Sequence, residues 1–173
     1  MGTRHLTQVI NKKGDLVISN YGQWDGYLEG QGMDIIKILN EGGTELLSNL
    51  EKNIQTVNHL TEDNAIQELY IKNNLKISPE GMVSMEDSDK FKQIYPSLHR
   101  DTGSQILVLL ANEEGIPLIK NTSTDWVEYQ HIINFQDNTY SAYSIYSEKT
   151  VYSTVLDKPD TIEEFQTFLD SIE

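Results

Sequence analysis

Residues 126–147 read WVEYQHIINFQDNTYSAYSIYS, and their alternation of apolar and polar side chains decides the fold class. Because successive side chains of a β-strand point to opposite faces, a period of two predicts strands. One face of the first strand would carry Val127, Tyr129, His131, Ile133 and Phe135. The tetrapeptide QDNT at 136–139 is typical of a hairpin turn, and a second strand at 140–146 follows it. The stretch therefore predicts an antiparallel hairpin, to which TVYSTVL at 150–156 can add a third strand.

The start of the chain predicts a second hairpin. Residues 3–10 and 15–21 are strand-like, and NKKG joins them, with Gly14 able to adopt a positive φ. Together, 3–21 and 126–146 are expected to form hairpins of one antiparallel sheet.

Helical spacing fills the middle of the chain. From Met33 onward, apolar residues recur at intervals of three and four until the pair of glycines at 42–43 interrupts a first helix. Thr44 is positioned to cap a second helix, and Thr61 to begin a third. The sequence DSDKFKQIYP predicts a short helix that Pro96 ends.

Two further helices are predicted from capping residues. Asp101 is expected to cap a helix that ends near Gly115. At the C-terminus, Asp160 is expected to be the N-cap and Glu163 to complete a capping box. The order strands, helices, strands, helix predicts an α+β fold: an antiparallel sheet from the N- and C-terminal hairpins, with helices from the middle and the C-terminus. We expect a single domain over 1–173.

Composition excludes several classes of function. Thirteen basic residues against 27 acidic ones give a net charge of −14, which repels phosphate backbones, so we expect no nucleic-acid partner. No apolar run approaches the roughly 18 to 20 residues that span a bilayer, so we expect no membrane partner. The start of the chain lacks a signal-peptide pattern and there is no cysteine, which favours a cytoplasmic location.

The stretch YGQWDGYLEGQG at 21–32 is the strongest candidate for a ligand-binding site. It holds four of the chain's eleven glycines, which allow the backbone to approach a ligand closely. Stacking faces and directed hydrogen bonds are the usual contents of a small-molecule site. The candidate ligand-binding side chains are Tyr21, Gln23, Trp24, Asp25, Tyr27 and Gln31. The alternative is a structural loop whose aromatic rings pack onto the sheet.

Arg4 is the candidate for an anionic group of the ligand. Arg4 and His5 are neighbours on a predicted strand, so they point to opposite faces and only one can face a given pocket. The planar guanidinium binds phosphate or carboxylate groups through two parallel hydrogen bonds, which favours Arg4. The alternative is a solvated or ion-paired arginine.

No metal and no cofactor are expected. His5, His59, His99 and His131 are scattered, and no cysteine is available to complete a metal site with them. The triplet HRD at 99–101 resembles the kinase catalytic loop, but Ile106 stands where that loop has asparagine. Asp101 as a helix cap explains the triplet better.

The opening MGTRHL followed by YGQWDGYLEGQG resembles a group of small proteins of bacteriophage and bacterial genomes. These proteins begin with MGTR-x-L, continue with a YGQWDGYP-x-GQG-like block, and have a later aromatic strand similar to WVEYQHIINF at 126–135. Leu28 stands in place of the proline of that block. The resemblance implies that the opening block and the aromatic hairpin belong to one architecture, and it suggests a phage or a prophage-bearing host.

Three functions are weighed. The preferred one is a non-catalytic protein that binds a small nucleotide-like molecule, as a phage counter-defence sponge in the host cytoplasm. In it Tyr21, Trp24 or Tyr27 would stack on a base, Gln23, Asp25 and Gln31 would bind polar edges, and Arg4 would bind phosphate. The first alternative is a small hydrolase with Asp25 as base beside His5 or Thr3. The second is a protein inhibitor of a host defence enzyme that binds through its acidic surface and exposed tyrosines. The oligomeric state stays open.

Overall fold

The computed structural model describes residues 2–172, and this range contains seven β-strands and five α-helices. The strands are β1 (His5–Ile10), β2 (Leu16–Gly22), β3 (Asn58–His59), β4 (Pro117–Leu118), β5 (Tyr129–Asn134), β6 (Thr139–Ser144) and β7 (Lys149–Val155). The helices are α1 (Met33–Asn53), α2 (Ala65–Lys72), α3 (Met85–Ile94), α4 (Ile106–Asn112) and α5 (Ile162–Ser171). A π-helical turn, Leu28–Gly32, precedes α1. The predicted α+β class is confirmed.

Both predicted hairpins belong to one five-stranded sheet, with the strand order β2-β1-β5-β6-β7. The pairs β1–β2, β5–β6 and β6–β7 are antiparallel, whereas β1 and β5 run parallel. The parallel pair joins the two hairpins. After β2 the chain forms helices α1 to α4, and it then returns to the sheet as β5, which pairs with β1. The sheet is therefore mostly antiparallel. The short strands β3 and β4 form a separate parallel pair.

Helices α1, α4 and α5 cover one face of the sheet, which we call the inner face. Val9, Ile133 and Tyr140 are neighbours in register on this face, and all three are fully buried. They belong to the same apolar cluster as Leu50 of α1, Leu110 of α4 and Phe165 of α5. Burying one such side chain stabilises the fold by roughly 1.5–3 kcal/mol, so this layer fixes the helices on the sheet.

The predicted interruption of the first helix takes the form of a kink. Gly43 has φ 58° and ψ −151°, which is not helical, yet helical structure continues on both sides of it within α1. A residue with a Cβ is strained at such a φ, so glycine permits the kink. Thr44 makes no capping bond that separates a second helix, because α1 runs through to Asn53.

Three predicted helix starts need correction. The N-cap of α5 is Thr161 with Glu164 completing the capping box, one residue beyond Asp160 and Glu163. Asp160 is otherwise engaged, because its carboxylate accepts a 2.6 Å hydrogen bond from the hydroxyl of Tyr152.

The second and third corrections concern Thr61 and Asp101. Helix α2 begins at Ala65 rather than near Thr61. Helix α4 begins at Ile106 after a short 3-10 turn, so Asp101 lies too far upstream to cap it. Its side chain bonds Trp24 instead.

The segment between α1 and α4 has a small aromatic cluster of its own. Tyr70 of α2 stacks on Phe91 of α3 with the ring centroids 4.1 Å apart, and Tyr95 packs against Phe91 at 5.2 Å. None of these rings belongs to the main apolar cluster. Between residues 2 and 172, no helix combines the length and the apolar character needed to cross a membrane.

Candidate functional site

The segment 21–32 leaves the end of β2 and folds back closely over His5. A Cβ on Gly26 would lie 2.7 Å from the Cβ of His5 and 2.8 Å from the carbonyl oxygen of Thr3. A Cβ on Gly22 would overlap the His5 imidazole. The Gly26 N–H donates to the Thr3 carbonyl at 2.9 Å. These two glycines therefore allow the segment to pack closely on β1. The sequence had suggested a different role for the glycines, namely close approach of the backbone to a ligand.

Gln31 and Asp25 hold the segment in shape. The Gln31 side-chain amide donates to the Trp24 carbonyl at 3.1 Å, and its oxygen accepts from the N–H and the hydroxyl of Ser104 at 2.9 and 2.6 Å. The Asp25 carbonyl accepts from the Gln31 N–H at 2.8 Å, and the Asp25 carboxylate accepts from the Tyr27 hydroxyl at 3.2 Å. Gln31, Asp25 and Tyr27 are thus engaged within the protein.

Tyr21, Gln23 and Trp24 are connected instead to a second segment of the chain, 97–101. The Gln23 N–H donates to the carbonyl of Arg100 at 3.0 Å, and the Trp24 indole N–H donates to the Asp101 carboxylate at 2.6 Å. The Tyr21 hydroxyl in turn donates to the Gln23 side-chain oxygen at 2.7 Å. These bonds bring the aromatic residues beside the segment that contains Arg100.

A cleft of about 100 Å³ lies between these two segments at the edge strand β2, and we call it the edge cleft. Its lining residues are Asn20, Tyr21, Ser97, Leu98, His99, Arg100, Ile119 and Asn121. The Asn121 N–H donates to the Ser19 carbonyl at 2.8 Å, which closes one wall. Since a water takes roughly 30 Å³ of liquid volume, the cleft holds only a few waters, or one small ring or anionic group.

The acidic residue nearest the edge cleft is already neutralised by its neighbours. Partial burial acts to raise the pKa of Asp101, but the Trp24 N–H, His99 and Lys92 outweigh it, so this pKa lies below its ordinary value. The Lys92 ammonium is 3.4 Å from the Asp101 carboxylate. Burial lowers the pKa of His99, and Asp101 opposes this shift. Arg100 has no ion-pair partner among residues 2–172, so its charge is available to a ligand.

Asn20 lines the edge cleft and has a buried donor without a partner. The residue is 6% exposed, and its side-chain nitrogen has no hydrogen-bond partner among the described residues. A buried donor left without an acceptor costs about 1–3 kcal/mol, so this nitrogen lowers the stability of the fold at that point.

Arg4 lies apart from the edge cleft. Its backbone N–H donates to the Glu128 carboxylate at 3.2 Å, and its carbonyl accepts from the Glu128 N–H at 2.9 Å. It is not among the residues that line the cleft. The residue against which the 21–32 segment packs is His5.

Sequence reasoning missed a buried polar cluster on the inner face of the sheet. His131 Nε2 lies 2.6 Å from the Gly26 carbonyl and Nδ1 lies 2.7 Å from the Tyr140 hydroxyl. These contacts fit the neutral ring with its proton on Nε2. His5 lies beside it with the ring centroids 5.8 Å apart, and neither His5 nitrogen has a hydrogen-bond partner within residues 2–172. The available signal was a histidine in each of two strands at positions where an apolar residue is usual.

Burial keeps both imidazoles neutral. Burial and, to a smaller extent, the neighbouring His131 lower the pKa of His5 to about 3, against an opposing effect of the Thr3 backbone. Burial also lowers the pKa of His131 to about 4, opposed by the Gly26 carbonyl. His59 is exposed in β3, and His99 lines the edge cleft. In the part of the chain that the structure describes, no three His, Asp or Glu side chains are grouped to hold a metal ion.

Comparison of the chain with models of known protein families, with curated proteins and with solved structures finds no match.

Proposed function

We propose that the protein binds a small nucleotide-like molecule without reacting with it, and that the edge cleft with the Trp24 indole at its rim is the binding site. The observation that carries the proposal is the pair of hydrogen bonds, from Gln23 to Arg100 and from Trp24 to Asp101. They bring the half-exposed indole of Trp24 next to the segment that contains Arg100, an exposed cationic residue that lines the edge cleft and has no ion-pair partner among residues 2–172.

Each part of such a ligand has a counterpart at the cleft. The Trp24 side chain is 43% exposed, and stacking of a base on an aromatic ring contributes about 1–3 kcal/mol. The Arg100 guanidinium is suited to a phosphate group, which it binds through two parallel hydrogen bonds. With about 100 Å³ available, the cleft takes one ring or one phosphate, and the rest of the ligand lies across Trp24.

The arrangement favours binding over hydrolysis. A hydrolase of the kind considered above needs Asp25 to act as a base beside His5 or Thr3. His5 is fully buried under Gly22 and Gly26, where substrate has no access. The Asp25 carboxylate accepts a hydrogen bond from Tyr27.

The biological role follows from the resemblance of the opening block to small phage and bacterial proteins. A phage protein that binds a nucleotide-like signal without reacting with it would lower the free concentration of that signal in the host cytoplasm. The role is therefore a counter-defence sponge, and it depends on the binding activity, which is tested first.

The test is recovery of the bound molecule. The protein is incubated with a small-molecule extract of bacterial cells, washed and denatured, and the released compounds are identified by mass spectrometry. We expect a compound with nucleotide absorbance in stoichiometric amount from the wild type, and little from Trp24→Ala or Arg100→Ala. Trp126→Ala is the matched control, because Trp126 is 82% exposed and does not line the edge cleft. Absence of a retained compound, or equal retention by Trp24→Ala, would overturn the proposal.

A further inference from the structure

A second and larger cleft lies where β5 begins and β6 ends, and we call it the aromatic cleft. Its volume is about 500 Å³, and its lining residues are Val127, Glu128, Tyr129, Ser144, Ile145, Tyr146, Ser147 and Val151. The Ile145 N–H donates to the Glu128 carbonyl at 2.9 Å, which fixes the two sides relative to each other. The aromatic cleft shares no lining residue with the edge cleft.

Two large aromatic side chains stand exposed at this cleft. Tyr146, which lines it, is 96% exposed, and Trp126, next in sequence to the lining residue Val127, is 82% exposed. Trp126 also has a φ of 66°, a conformation that is strained for a bulky residue. Exposed Trp and Tyr add little to the stability of the fold and are enriched in protein interfaces.

Acidic residues lie at and near the aromatic cleft. Glu128 lines it, and its carboxylate accepts one hydrogen bond, from the backbone N–H of Arg4 at 3.2 Å. Glu148 follows in the turn after Tyr146, and Lys149 borders the same turn. Burial, Glu29 and Glu128 together raise the pKa of Tyr129, so the charge of Glu29 also acts on this wall. The whole chain adds a long-range attraction for cations through its net charge of −14.

We propose that the aromatic cleft binds a basic segment of a partner protein by receiving one arginine side chain. The guanidinium stacks on the exposed ring of Tyr146 and pairs with the Glu128 carboxylate, an arrangement suited to its flat, weakly hydrated cation. The aliphatic stem packs on Val127 and Val151. A protein partner is favoured over a small cation because Trp126 and Tyr146 extend the aromatic surface beyond the cleft itself.

The test uses Trp126 as the reporter. The chain has two tryptophans, so a Trp24→Phe background leaves Trp126 as the only indole. Its fluorescence is titrated with the peptide acetyl-Gly-Ser-Arg-Gly-Arg-Ser-Gly-amide, and in parallel with the same peptide carrying citrulline in place of each arginine. Citrulline keeps the shape of the side chain and removes its charge. We expect a saturable change with the arginine peptide and at least tenfold weaker binding of the citrulline peptide.

Variants separate this site from general attraction to an acidic protein. Tyr146→Ser leaves the net charge unchanged and should raise the Kd about fivefold, the factor that corresponds to loss of a cation–aromatic contact of about 1 kcal/mol. Met85→Ser is the control, because Met85 is an 83% exposed apolar residue on α3 outside the cleft, and it should leave the Kd unchanged.

Three results would overturn the proposal. They are the absence of a saturable change, equal binding of the two peptides, and a Kd that Tyr146→Ser does not alter. Saturable binding of tetramethylammonium ion without binding of the arginine peptide would identify a small-cation site. It would likewise overturn the proposal that the partner is a protein.

Discussion

His5 and His131 are two fully buried imidazoles in adjacent strands, and they differ in their partners. His131 makes two side-chain hydrogen bonds, and its replacement by leucine would leave the Gly26 carbonyl and the Tyr140 hydroxyl unpaired. We therefore expect His131→Leu to lower the free energy of unfolding by about 2–5 kcal/mol. His5→Leu removes two unpaired polar atoms and should cost much less. Urea unfolding of both variants checks this, and equal losses would contradict it.

The same pair predicts a dependence of stability on pH. The folded pKa values of about 3 for His5 and about 4 for His131 lie below the ordinary value of 6.5. The unfolded chain therefore binds protons near pH 6 that the folded chain does not. The stabilisation is complete above pH 6.5 and decreases as the pH falls from there toward the folded values.

Between pH 6.5 and pH 5, each neutral histidine loses about 2 kcal/mol of its contribution to stability. Because carboxylates also titrate on acidification, the informative quantity is the difference between wild type and His5→Leu. We expect the wild type to lose about 2 kcal/mol more than the variant when urea unfolding is measured at pH 7.5 and at pH 5. Parallel losses would show that His5 is not held neutral in the folded protein.

At the scale of elements, the 21–32 segment is predicted to depend on some of its glycines and not on others. Gly26→Ala places a methyl group 2.7 Å from the His5 Cβ and should lower the free energy of unfolding by about 1–3 kcal/mol. Gly32 is a matched control in the same segment, with helical φ −59° and ψ −50° and a nearest contact of 3.4 Å. Gly32→Ala should be neutral or stabilise by about 0.4–1 kcal/mol.

Thermal unfolding of Gly26→Ala and Gly32→Ala tests the packing of this segment on β1. A Gly26→Ala protein as stable as the wild type would mean that the segment moves freely over His5. That outcome would favour the first interpretation of the sequence, in which the glycines allow the backbone of this segment to approach a ligand closely.

The strands and turns were predictable because their signals are local. The period of two and the turn sequences NKKG and QDNT lie within the hairpins that they form, and Gly14 and Asn138 have the positive φ that such turns use. The parallel pairing of β1 with β5 is a long-range choice that no local pattern encodes. The predicted start of α5 was wrong by one residue. The Asp160 carboxylate accepts a hydrogen bond from Tyr152, and Thr161 caps the helix instead.

Only part of the candidate site has such local signals and could be predicted from the sequence. Tyr21, Gln23 and Trp24 are close in sequence and in space, so their combination could be recognised. Arg100 joins them through contacts between segments distant in the chain, such as the Trp24–Asp101 bond between residues 77 positions apart, which spacing in the sequence does not reveal. The sequence placed His131 on the apolar face of its strand, but the histidines were considered only as metal ligands, so the buried cluster with His5 and Tyr140 was missed.

At the scale of the whole molecule, two clefts of different chemistry lie on one strongly acidic protein. A net charge of −14 opposes the approach of long polyanions, whereas a single phosphate needs only the local charge of Arg100. The same net charge favours a basic partner at the aromatic cleft. Binding of the arginine peptide should therefore weaken as the salt concentration rises, because screening reduces the attraction between opposite charges.

The proposed binding of a nucleotide-like molecule at the edge cleft places the ligand against Trp24. The most direct measurement is the fluorescence of Trp24 in a Trp126→Phe background, where it is the only indole, during titration with a panel of mononucleotides and cyclic dinucleotides up to ~1 mM. We expect a saturable change with at least one of them and at least tenfold weaker binding by Arg100→Ala, for the loss of a charge-assisted contact of about 1.5 kcal/mol. Arg100 is exposed, so this variant should remain folded. Fluorescence that no member of the panel changes, or a Kd that Arg100→Ala leaves unaltered, would contradict the account.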